Sequence, residues 1–107
     1  MDIKRQTAGQ VEISFTYSRH LGPMYLHGSV RLRFDSLRSY SFQSLVTWPK
    51  NENYEKYVQE GVEKALLELT GSLANIQVEL LEIDLDLSSP MGLQSAAYAA
   101  TYAAFLT

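Results

Sequence analysis

Cysteine is missing from this chain of 107 residues. That excludes a disulfide framework, a thiol nucleophile and any cysteine-held metal. Histidine occurs only as His20 and His27, on either side of Gly22-Pro23, without the spacing of a zinc finger or a metalloprotease helix. No Gly-x-Ser-x-Gly elbow is present, so a serine nucleophile of the hydrolase type is not expected. Neither a G-x-x-x-x-G-K-[ST] loop nor a G-x-G-x-x-G turn occurs, which removes those routes to a bound nucleotide. The expectation is a protein with no cofactor, metal or nucleotide. Long apolar runs are missing too. No charge follows Asp86, but Pro90, Gly92, Gln94 and several serines and threonines break that stretch, and a membrane span needs ~20 strongly apolar residues. No apolar segment follows Met1-Asp2-Ile3-Lys4-Arg5, so no secretory leader is expected. The expected setting is the cytoplasm, away from any membrane.

What is present suits one folded domain over residues 1–107. Hydrophobic residues make up 46% and charged residues 20%, a balance that argues against disorder and supplies a single core. Charge is divided unevenly. Residues 1–50 hold seven lysines and arginines against three carboxylates, and residues 51–107 hold two against nine. Either two surfaces differ in sign, or the halves pair across one sheet.

Apolar periodicity gives the elements. Val11, Ile13, Phe15 and Tyr17 alternate with Glu12, Ser14 and Thr16, which predicts a half-buried strand over 11–17. Gly22-Pro23 marks a turn. A second strand is expected over about 26–35, with Val30, Leu32 and Phe34 opposite Arg31, Arg33 and Asp35. A third is expected from Phe42 to Trp48, ended by Pro49. The period then becomes helical. Tyr54, Val58, Val62, Ala65, Leu66 and Leu69 form one stripe, with Asn51 or Asn53 as cap and Gly71 at the end. Glu52–Lys56 and Glu60–Lys64 are spaced as i,i+4 pairs. Residues 75–87 read as the longest strand, and its inward parity switches at Leu81-Glu82, which predicts a β-bulge. Ser89 and Pro90 then open a helix over about 90–105, rich in alanine with a stripe of Tyr98, Tyr102 and Phe105. The order β-β-β-α-β-α predicts an α+β two-layer sandwich, a four-stranded sheet with two helices on one face.

The other sheet face should be polar, carrying Glu12, Ser14, Thr16, Arg31, Arg33, Thr47, Gln77 and Glu79. Glu79, Glu82, Asp84 and Asp86 form the densest acidic group, for which Arg31 and Arg33 are natural cross-strand partners. Paired carboxylates can also serve as general acid and base. Arg19, Arg31, Arg33 and Arg38 interleave with Tyr17, Tyr25, Phe34 and Tyr40, a mixture suited to RNA and its phosphates. A sequence pI near 5.3 opposes generic nucleic-acid binding.

Several segments together resemble a known family. Val58-Gln59-Glu60-Gly61-Val62-Glu63-Lys64-Ala65-Leu66 is similar to the helix of the fourth domain of elongation factor G, with its valine–x–x–glycine–valine–x–x–alanine pattern. Gly71, the strand Ile76-Gln77-Val78-Glu79-Leu80, then Asp86-Leu87-Ser88-Ser89, Met91 and the alanine-rich helix follow in the family's order. Upstream, His27-Gly28-Ser29-Val30-Arg31-Leu32 resembles a glycine–histidine–valine strand start. The resemblance covers about residues 25–106. It implies the fold of the second domain of ribosomal protein S5, with a left-handed β-α-β crossover against the usual rule. It also implies a stand-alone domain without a catalytic site or GTPase, whose relatives enter the decoding region of the small ribosomal subunit. The family's tip loop is longer and bears a histidine, whereas Leu81 to Ser89 is short and has none. The loop before the second strand is reduced to Leu21-Gly22-Pro23. No ribosome-contact residue of the family therefore transfers.

The expected function is non-enzymatic and associated with the ribosome or RNA in translation, with Arg19, Arg31, Arg33 and Arg38 as phosphate contacts. The alternative is a protein-interaction or self-associating module, a homodimer in its simplest form, built on Tyr98, Tyr102 and Phe105 of the uncharged final helix. A small enzyme using the acidic group would need a close carboxylate pair in a concave pocket.

Overall fold

A computed structural model describes residues 2–4, 10–36, 39–48, 53–71, 73, 76–84 and 89–106. Five strands and two helices follow one another as β1 (Asp2–Lys4), β2 (Val11–Leu21), β3 (Met24–Ser36), β4 (Ser41–Ser44), α1 (Glu55–Thr70), β5 (Ile76–Ile83) and α2 (Pro90–Leu106). The sheet runs in the order β1-β2-β3-β5-β4. All neighbours are antiparallel except β4 and β5. The expected β-β-β-α-β-α sandwich is thus present, and the short strand β1 adds to its edge by pairing Ile3 with Ile13.

Alternation decides what is buried. Ile13, Val30, Leu32, Phe34, Val78 and Leu80 point to one side and form a single core with Val58, Val62 and Leu66 of α1 and Leu93, Ala96, Ala97 and Ala100 of α2. Both helices therefore cover the same face. The β3–β5 register slips between Arg31 and Leu32, which face Glu82 and Leu80, so Leu81 is the extra residue of the expected bulge. The bulge lets Val78 and Leu80 stay buried while Glu82 faces Arg31.

Four strands differ from their sequence outlines, and β5, expected to be the longest, has 8 residues against 13 in β3. The hairpin β2–β3 runs on to Leu21 and restarts at Met24. Gly22 takes a φ of 62° and Pro23 follows it, the residue pattern of a two-residue II′ turn, so pairing continues to the tip. Strand β4, by contrast, stops at Ser44 rather than Trp48. The Ser44 hydroxyl accepts the Val46 amide and the Trp48 indole N–H, which turns the chain away.

Helix α1 starts where the Asn53 side chain accepts the Glu55 amide at 2.9 Å, and it ends in a left-handed Gly71 whose N–H reaches Leu67 O. Asn51 and Glu52 lie outside the described residues. Glu60 meets Lys56 at 4.0 Å and Gln94 at 3.4 Å, while Lys64 lies over the Tyr98 ring. Helix α2 begins as expected, with Ser89 Oγ accepting the Gly92 amide at 3.0 Å. Its first turn lies directly on β3. A Cβ on Gly28 would strike the Gly92 backbone, and one on Gly92 would strike the His27 carbonyl. Only paired glycines allow that approach.

Candidate functional site

The open face of the sheet is built by the even residues of β2 and the odd residues of β3. Register places Glu12 beside Arg33, Ser14 beside Arg31, Thr16 beside Ser29, Ser18 beside His27 and His20 beside Tyr25. The inner half of this face is an ion-pair ladder. Arg31 donates to Glu12, a carboxylate with only 4% exposure, and lies 3.5 Å from Glu82. Arg33 meets Glu79 at 2.8 Å. These bridges join the basic half of the sequence to its acidic half. Arg31 and Arg33 are therefore engaged with carboxylates, and removing either uncovers charge that the sheet has desolvated. Beside the ladder lies an open depression of about 350 Å³ lined by Ser14, Ser29, Arg31, Glu82 and Asp84.

Of the four arginines expected to act together, Arg31 and Arg33 share the open face and Arg19 does not. Arg19 has odd parity in β2 and belongs to the opposite face from Arg31 and Arg33, near the hairpin end. It is exposed, and among the described residues it has no carboxylate partner. Arg38 lies outside the described residues, as does Asp86.

The strands expected over 11–17 and about 26–35 left His20 between them and His27 at the start of the second. The extended hairpin instead puts both on the open face with Tyr25 between them. The rings of His20 and Tyr25 are 4.6 Å apart, and those of Tyr25 and His27 are 6.0 Å apart and nearly parallel. The Tyr25 hydroxyl hydrogen-bonds Ser18 at 2.5 Å and approaches His27 Nδ1 at 3.4 Å. Tyr25 remains 50% exposed. The signal was available: a two-residue turn preserves alternation, which puts positions 18, 20, 25 and 27 on the polar side. Among the described residues no group of three His, Asp or Glu side chains is placed to hold a metal ion.

The residues expected at a protein interface lie along α2 and each meets a neighbouring element. Tyr98 and Tyr102 both donate their hydroxyls to Glu68, which ties α2 to α1. Those two bonds hold the Glu68 carboxyl below its ordinary range, Tyr98 contributing most, and the same bonds raise both tyrosines. Tyr40 is raised chiefly by burial, and then by its bond to Glu63. Phe105 packs edge-on against Phe34 at 5.3 Å and stays 40% exposed. A second hollow of about 370 Å³ lies between Tyr17, Lys64, Met91, Tyr98 and Ala99.

No family model matches the chain, and no curated protein matches it. Solved structures do: 51 chains match. One is a crystal structure of a protein from Thermus thermophilus, 20% identical, with a TM-score of 0.75. The two share a fold. The likeness covers 89% of this chain and 15% of the Thermus chain, so this chain spans only a small part of that protein. Among the described residues no helix is long and apolar enough to cross a membrane.

Proposed function

We propose that this chain is a non-enzymatic binding domain similar to the fourth domain of elongation factor G, and that it associates with the ribosome or another RNA in translation. One observation carries the reading: the segments that bear the resemblance are the ones that pack on one another. Gly61 of the α1 motif lies against the Gln94 carbonyl of α2, and Gly28 of the β3 motif lies against Gly92 of α2. The motif residues thus have a joint physical reason, and the fold likeness over 89% of the chain agrees with it. Glu12, Glu79 and Glu82 are engaged with arginines on the sheet face, which supports a binding role over catalysis. Co-sedimentation with ribosomes tests the proposal. Pelleting at about 50 mM salt that is lost at about 200 mM is expected of phosphate contacts. No pelleting at the lower salt contradicts it.

A second reading, a module that binds another protein or itself, draws on the helical layer, where Leu67, Met91 and Phe105 are 40–53% exposed. Light scattering at high concentration discriminates it: a monomer counts against self-association.

A further inference from the structure

The end of the β2–β3 hairpin has chemistry that the fold itself does not use. Strand β1 covers β2 only at Glu12–Ser14, and β5 pairs with β3 only as far as Val30. The chain beyond β5 stays beside β3 a little farther, with the Asp84 amide on Ser29 O and the Ser89 amide on His27 O, and past these contacts the described residues pair only β2 with β3. No aspartate or glutamate occurs between Glu12 and Asp35, so the two strands of this end themselves carry Arg19, His20 and His27 and no carboxylate. Its open face holds the ring ladder His20–Tyr25–His27, flanked by the hydroxyls of Thr16, Ser18 and Ser29. These rings lie on the side away from the helices and belong to no core cluster. A half-exposed tyrosine held in place by Ser18 and flanked by two imidazoles is an ordered, solvent-facing stacking surface.

We propose that this hairpin end binds single-stranded RNA, stacking unpaired bases on Tyr25 and its flanking imidazoles. The inference rests on the RNA-associated reading above and names the surface and the form of RNA. Aromatic rings displayed on strands take bases whose faces are free, which a duplex does not offer. The cation count agrees. Among the described residues one arginine, Arg19, stands at the edge of β2 beyond its pairing with β1, enough to meet a phosphate passing over that edge but not to line the two backbones of a duplex. Glu82 and Asp84 border the face on the β5 side. They repel phosphate and direct the strand across the hairpin end rather than along the sheet.

The test is fluorescence anisotropy at about 50 mM salt with a labelled, unpaired RNA of about ten nucleotides, within the site sizes of such surfaces. The intact chain should bind it, and bind an RNA duplex of equal length more weakly. Tyr25→Ala should weaken binding about tenfold or more, while Tyr25→Phe, which keeps the ring, should stay within about threefold. Circular dichroism on each variant confirms that the fold is retained, and His20→Ala supplies a second loss if Tyr25→Ala unfolds. Equal binding by wild type and Tyr25→Ala, tighter binding of the duplex, or no binding of the single strand each overturns the proposal. Ribosome pelleting that survives Tyr25→Ala and His20→Ala overturns the hairpin-end site and leaves the ribosome reading standing. Loss of both oligonucleotide and ribosome binding by the wild type overturns the two together.

Discussion

The two halves of the open sheet face are made by the same pair of strands with the same alternation, yet they differ in what their polar groups meet. Near Glu12 the groups satisfy one another: Arg31 bridges two carboxylates and Arg33 a third. Near Gly22 the rings of His20, Tyr25 and His27 lie side by side on the open face, with Arg19 exposed behind them. The inner half has the strands β1 and β5 on its two sides, whereas beside the outer half the described residues place no third strand, only the chain after β5 with the Asp84 amide on Ser29 O and the Ser89 amide on His27 O. Desolvation explains the difference. Where strands flank the hairpin, charges lose water and must be paired. Where they do not, charge and aromatic area can remain open for a partner. On the proposed reading, stability and recognition divide along the length of one hairpin.

That division can be broken most forcefully at Arg31. Arg31→Glu sets a second carboxylate beside the nearly buried Glu12 and should cost about 4 kcal/mol, read as a large drop in the urea midpoint. Charge reversal there cannot serve as a binding test, because the fold responds first. Gly92→Ala probes the seam where α2 rests on β3 at His27. Its methyl group has no room against backbone, so about 3 kcal/mol should be lost in the same measurement. Arg33→Ala, at a more accessible pair, should cost about 1–2 kcal/mol.

Acid should act on the helical layer rather than on the hairpin end. The folded-state pKa of Glu68 is lowered, first by Tyr98 and then by Tyr102. Its contribution is present above the unfolded glutamate value of about 4.3 and disappears as pH falls through the lowered one. The raised tyrosines contribute fully below about 10 and lose that contribution as pH rises through their folded values. Glu68→Gln should flatten the acid side of the stability–pH curve. The smallest effect is expected at the tip. Arg19→Glu should shift the urea midpoint by no more than about 0.5 kcal/mol in stability, because nothing in the core depends on it.

The core was legible from periodicity. Ile13, Val30, Leu32, Phe34, Val58, Val62, Val78 and Leu80 all lie where alternation or helical spacing put them, and the parity switch at Leu81 announced its own bulge. Cross-strand pairing of Arg31 and Arg33 with Glu82 and Glu79 followed from charge alternation alone. Three features were not legible. The end of β4 depends on one hydroxyl at Ser44, and periodicity carries no trace of it. Strand β1 is too short for a pattern, since its three residues gain order only by pairing with β2. The ring ladder was hidden because the expected strands stopped at Tyr17 and restarted near Leu26, which left His20 and Tyr25 off the sheet. Treating the arginines as one group failed because sequence proximity ignores parity: Arg19 and Arg31 fall on opposite faces.

The measurement that tests this account most directly is ribosome co-sedimentation of the double variant Arg19→Glu/Tyr25→Ala beside the wild type at about 50 mM salt, with urea unfolding run on the same preparations. The account predicts that the wild type pellets and the double variant does not, while their unfolding midpoints agree closely. A double variant that pellets like the wild type, or one whose loss of pelleting follows a loss of stability, would contradict the division between a paired scaffold and an open recognition end.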